Sequence, residues 1–228
     1  MVGSVMPLQL DDLGLRKKDI TIQAILDAAG LLLIEKMGSA PHAREIAAKS
    51  GYSVGTIYNY FSSVGDVVSH LVLKRQTETM KKIEAIIAQH DATQPVDVLC
   101  TQIVETIFSS YSSIKPVVLR FSYNMAVSQS AKPENHDRVV DRLVQPIHEV
   151  AKRDKTGTFR AFDDQELTLY LRGMVYLCRY PLLDGSELYG TPEHQRIVLG
   201  FMIRTMTQTA VSDIGRPTEP PAPVKAAA

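Results

Sequence analysis

The stretch Ala43-Arg-Glu-Ile-Ala-Ala-Lys-Ser-Gly-Tyr-Ser-Val-Gly-Thr-Ile-Tyr-Asn-Tyr-Phe61 decides the reading of this chain. It has the spacing of two short helices joined by a tight turn. Ala47 stands four residues before Gly51, and Ile57 six after it. A helix-turn-helix needs a small residue where the helices cross and a turn residue that accepts positive φ. It also needs an apolar anchor that packs the second helix back on the first. Ala47, Gly51 and Ile57 supply these in order. Ser53 is suited to cap the second helix, because its hydroxyl can accept a backbone N–H of the first turn.

Outward from this block the pattern is helical throughout, and no strand pattern is evident. Ile22, Ile25, Leu26, Ala29, Leu32 and Leu33 recur at helical spacing, so a first helix is expected from Asp19 or Thr21 to about residue 36. A short helix from about 41 to 49 and one from 54 to 61 flank the turn, and a long fourth helix should run from about 65 to 90. Beyond a linker at 91–95, helices are expected at 96–111, 115–130, 135–154 (kinked by Pro146), 163–180 and 192–211. Residues 155–158 read as a turn and 181–192 as a loop. The fold class is therefore all-α. Residues 1–18 read as a flexible arm and 19–64 as a DNA-binding domain. Residues 65–212 read as a helical ligand-binding and dimerisation domain, and 213–228 as a disordered Pro- and Ala-rich tail.

The chain has 228 residues, 45% of them hydrophobic, and a formal net charge of zero. A packed core is affordable at that length. Zero net charge places any attraction to phosphate in a local patch rather than over the whole surface. Six basic residues (Arg16, Lys17, Lys18, Lys36, Arg44, Lys49) face four acidic ones (Asp19, Asp27, Glu35, Glu45) between residues 16 and 65. Cys100 and Cys178 are far apart in apolar helical surroundings and read as small buried hydrophobes of a reducing compartment. No secretory signal and no apolar run of membrane-spanning length is evident, so the expected location is cytoplasmic. No phosphate loop, nucleophile elbow or paired-histidine metal motif occurs. No catalytic residue, cofactor or metal is implied.

Residues 25–71 resemble the TetR (tetracycline-repressor-like) family of transcriptional regulators. Ile25-Leu-Asp-Ala-Ala29, Glu45-Ile-Ala-Ala48 and Ser53-Val-Gly-Thr-Ile-Tyr-Asn-Tyr-Phe61 carry the resemblance. Members commonly read Ser-x-Gly-Thr-Leu/Ile-Tyr-x-Tyr-Phe in the last block. The resemblance implies a homodimer that binds a palindromic operator and releases it when a small molecule binds. Four departures stand out. Val54 replaces a frequent Lys or Arg, Val64-Gly65 replaces a frequent Lys-Glu, Leu33 replaces a Phe, and the Gly usual at Met37 stands at Gly38.

The expected DNA contacts are Arg44, Ser53, Val54, Gly55, Thr56, Tyr58, Asn59 and Tyr60, with Lys17 and Lys18 from the arm. Hydroxyls of Thr56, Tyr58 and Tyr60 suit phosphate oxygens, Asn59 suits an adenine edge and Arg44 a guanine. Val54 suits a thymine methyl. The plainer alternatives are packing for Tyr58, solvation for Asn59 and the Arg16-Lys17-Lys18 cluster, and pairing with a neighbouring acid for Arg44. Phe108, Tyr111, Phe121, Tyr123, Asn124 and Met125, with His148 and Tyr176, are candidates for a pocket that takes a small, largely apolar or aromatic effector. Leu167, Leu171, Met174 and Val175, with Val198, Phe201, Met202 and Thr205, are candidates for a dimer interface, because these two segments are apolar nearly all round. The main expectation is a ligand-responsive dimeric repressor. The alternative is a helical protein–protein adaptor that kept the fold and lost DNA binding or ligand sensing.

Overall fold

The computed structural model describes residues 10–112, 114–129 and 140–207. Within them the chain is all-helical, apart from one isolated antiparallel bridge between Phe159 and Thr207. In chain order the helices are α1 (Leu10–Glu35), α2 (Ala43–Ser50), α3 (Val54–Tyr60), α4 (Val64–Gln89), α5 (Val96–Tyr111) and α6 (Pro116–Gln129). A 3-10 turn (Asp141–Leu143) leads into α7 (Val144–Arg153), followed by α8 (Asp164–Leu183) and α9 (Pro192–Met206).

The first three helices enclose a small core. Ile25 and Ala29 of α1, Ile46 of α2 and Ile57 of α3 are buried together with Phe61 and with Val67 of α4. A second core joins Met80, Ile83 and Ile87 of α4 to α5, α7, α8 and α9. Between them, Leu33 of α1, Val68 of α4 and Val118 of α6 form a bridging cluster. Helix α4 thus takes part in all three clusters. At 26 residues it is a rod of ~39 Å.

Several elements differ from expectation, each for a local reason. Helix α1 begins at Leu10, so the segment read as an arm is helical from residue 10. Residues 1–9 and the tail at 213–228 lie outside the described residues. Helix α2 starts after His42, whose backbone N–H donates to the Glu45 carboxylate at 2.6 Å. Pro146 stands in the first turn of α7, where its missing N–H has no helical acceptor to lose, rather than in mid-helix. The expected start of that helix at 135–139 also lies outside the described residues. Pro181 does not end α8 but lies within its last turn. Lacking an N–H, it cannot serve the carbonyl of Leu177. Nε2 of the buried His194, on α9, lies 3.2 Å from that carbonyl oxygen instead. Nδ1 of the same ring accepts the Gly190 N–H at 3.2 Å, which places the ring proton on Nε2. Helix α9 ends at Met206, whose carbonyl accepts the N–H of Arg160 at 2.9 Å beside the bridge.

Candidate DNA-binding face and effector cavity

Gly51 closes α2 at φ 76°, and its N–H reaches back to the Ala47 carbonyl. Ser53 then caps α3, its Oγ accepting the Thr56 N–H at 3.0 Å. Ile57 and Phe61 point into the core. That leaves Gly55, Tyr58, Asn59 and Tyr60 exposed on the outer face of α3. The Thr56 hydroxyl lies 2.8 Å from Ser53 Oγ, so these two hydroxyls are engaged with each other. Val54 is half-buried and packs on the core of the first three helices, as does Val64. Two departures from the family pattern therefore serve packing.

Charge on this face is sorted by cross-helix pairing. Lys36 pairs with Glu45 at 2.8 Å and Lys49 with Glu35 at 2.6 Å. These pairs take up Glu35 and Glu45, and Arg44 is exposed and makes no ion pair among the described residues. On α1, the Thr21 hydroxyl lies 3.4 Å from the Tyr52 hydroxyl, which brings the N-terminal half of α1 against the turn. Lys17 and Lys18, one turn earlier on α1, are exposed beside it.

A cavity of about 740 Å³ lies between α1, α4, α5, α6, α8 and α9. That volume suits a small-molecule ligand. Phe108, Tyr111 and Tyr123 of the expected pocket residues line it. The other five do not. Phe121 and Met125 pack against the Leu33–Val68–Val118 cluster, and Asn124 is exposed. His148 Nε2 lies 2.8 Å from an Asp164 oxygen, and Tyr176 is 59% exposed and tilted against Tyr180. Sequence reasoning missed Arg75 and Gln76 of α4 and Arg179 of α8, which do line the cavity. The available signal was the spacing of Val72, Arg75, Gln76, Thr79, Met80 and Ile83, one helical stripe with polar heads set among apolar residues. Cys178 also borders the cavity, and burial pushes its thiol, like that of Cys100, up to about 12.

The expected interface residues divide by exposure. Leu167, Leu171, Met174, Val198 and Met202 are buried in the chain's own core, and Val175 and Thr205 are half-buried. The apolar groups left outside on α8 are Leu169, 74% exposed, with Tyr176 and Tyr180, and Phe201 on α9 is 42% exposed. Leu169, Gly173, Tyr176 and Tyr180 share one helical face.

No family model and no curated protein matches the chain by sequence. Solved structures match by fold. A TetR-family transcription regulator from Marinobacter aquaeolei VT8 superposes with a TM-score of 0.52 at 15% identity, covering 84% of this chain and 98% of that one. SmeT, the repressor of the Stenotrophomonas maltophilia multidrug efflux pump SmeDEF, superposes with a TM-score of 0.56 at 19% identity. The match covers 90% of this chain and 99% of that one. The chain has the all-helical fold of these regulators.

Proposed function

We propose that the chain is a ligand-responsive transcriptional regulator, a cytoplasmic homodimer that represses by holding a palindromic DNA operator. A small effector, largely apolar or aromatic, releases it. The observation that carries this reading is the capped helix α3, whose anchors Ile57 and Phe61 are buried while Tyr58, Asn59 and Tyr60 stand free. Hydroxyls and the nearby cations Arg44, Lys17 and Lys18 suit phosphates, and an exposed amide suits a base edge. The unpartnered face of Leu169, Tyr176, Tyr180 and Phe201 supports association with a second copy. A two-fold dimer sets two reading helices on half-sites about one DNA turn apart.

The coupling runs through α4. Gly30, Leu33 and Ile34 of α1 border the cavity together with Leu71 and Val72 of α4. An occupant therefore touches the unit that carries α3. Displacing α4 against α1 changes the spacing of the two reading helices, and an operator of fixed spacing then binds less well. The test is to map the fragments of its genome that the purified chain retains, and then to repeat this with Tyr58→Ala/Asn59→Ala. The double variant should keep its helical spectrum and mass in solution and lose the bound sites. Retention of those sites would remove α3 from the reading role, and no bound site for the parent chain would leave the adaptor reading.

A further inference from the structure

We propose that the effector is an amphipathic carboxylate, with its anionic head at Arg75 and its apolar body along the inner part of the cavity. This rests on the reading of that cavity as the effector site and narrows its chemistry from apolar or aromatic to acidic.

Among the described residues, three charged side chains line the cavity, Arg75, Arg179 and Glu105. Glu105 is exposed, at the rim, whereas both arginines are half-buried. Arg75 has no carboxylate partner among the described residues, whereas two other half-buried arginines do. Arg172 pairs with Asp141 and Arg160 with Glu166. A guanidinium turned toward an apolar cavity without a counter-charge is poorly solvated, and an anion arriving there gains a charge-assisted, forked contact. The Arg179 guanidinium lies 4.5 Å over the Tyr123 ring.

Neighbouring polar groups fit the same head. The Tyr111 phenol is pushed above its usual pKa by burial, against the opposing pull of its Thr79 hydrogen bond and of Arg75 and Arg179. That hydroxyl therefore remains a neutral donor. Gln76 adjoins Arg75 on α4, and its Oε1 is buried with no hydrogen-bond partner. Rotation of the amide exchanges its acceptor for N–H donors. Met80, Ile83, Ile103, Met174 and Met202 give the wall an apolar, partly thioether stretch that adapts to an aliphatic or an aromatic body.

The test is calorimetric titration of the full chain without DNA. The probes are decanoate and 1-naphthylacetate, each compared with the alcohol of the same skeleton, decan-1-ol and 2-(1-naphthyl)ethanol. At least one acid should bind about tenfold or more tightly than its alcohol, as expected of a charge-assisted contact. Arg75→Gln should erase that preference while leaving the alcohol's affinity unchanged, which also reports that the cavity is intact. Arg75→Lys should keep part of the preference. Equal affinity of acid and alcohol, no binding of either acid, or an acid preference that survives Arg75→Gln would each overturn the proposal. Because no DNA is present, a failed operator experiment leaves this result standing, and the reverse also holds.

Discussion

Gly51 has φ 76°, and a Cβ built there meets no heavy atom within 4 Å. A substitution at this position therefore tests backbone conformation alone. Gly51→Ala should cost about 1 kcal/mol, a fall in Tm of roughly 2–4 °C, read by thermal denaturation. Gly51→Asn should recover part of the loss, because Asn tolerates the left-handed region. Asp154 makes a second single-residue case. Burial alone would raise its pKa, but hydrogen bonds from the Thr156 hydroxyl and from the N–H groups of Thr156, Phe159 and Thr158 hold it below its ordinary 3.8. The same turn anchors the start of α5, since Thr158 Oγ1 accepts the Val96 N–H at 3.0 Å. A depressed folded pKa contributes stability that is complete above about 3.8 and is lost as pH falls through the lower, folded value. Asp154→Asn should flatten the acid limb of stability against pH below about 4 and leave the pH dependence near neutrality unchanged. A variant as acid-sensitive as the parent chain would show that the turn contributes nothing to that limb. At this scale Gly51, Ser53 and Ile57 were legible in the sequence, because each answers to fixed local spacing. The unpaired state of Arg44 was not. It depends on Lys36 and Lys49 reaching acids on other helices, and charge composition is silent about such pairings.

Helix periodicity marked the elements and most of their ends but misread both prolines, because proline's effect depends on position within the helix and on what replaces its hydrogen bond. At Pro146 nothing had to be replaced. At Pro181 the replacement comes from His194, thirteen residues further along the chain and on another helix. This makes a double-variant prediction. His194→Phe leaves the Leu177 carbonyl buried without its donor, at a cost of about 1–3 kcal/mol. Pro181→Ala restores the N–H that α8 lacks at that point. The cost of His194→Phe should therefore be about 1 kcal/mol smaller in the Pro181→Ala background, measured by urea unfolding of the four proteins. Strict additivity would show that His194 stabilises α8 only through packing, for example its edge-on contact with Phe108 at 4.9 Å. Helix faces were only half legible for a related reason. Apolar residues surround α8 and α9, so their pattern could not distinguish the side that meets the chain's own core from the side left outside. Leu167 and Leu171 went inward, and Leu169 and Tyr176 outward.

Across the whole molecule, 25 basic and 25 acidic residues cancel, so long-range attraction to DNA is weak and the phosphate grip is local. The candidates on the proposed DNA face are Arg44, Lys17 and Lys18, since Lys36 and Lys49 are already paired. A dimer then brings six such cations to its operator. Each neutralised phosphate contributes about −0.9 to the slope of log affinity against log salt. The expected slope is therefore about −5 if all six engage. The helical setting of Lys17 and Lys18 on α1 matters here, because a helix holds both at a fixed height beside the turn rather than on a mobile arm. Lys17→Gln/Lys18→Gln should reduce the slope by roughly 3–4 and weaken binding to all sequences about equally. Arg44→Gln should remove roughly 2 from the slope and, if Arg44 also reads a base, weaken the operator more than random DNA. Electrophoretic or fluorescence titration at four or more salt concentrations measures both. A slope near zero for the parent chain would contradict phosphate binding by this face. A steep slope insensitive to Lys17 and Lys18 would move the grip to cations elsewhere on the surface.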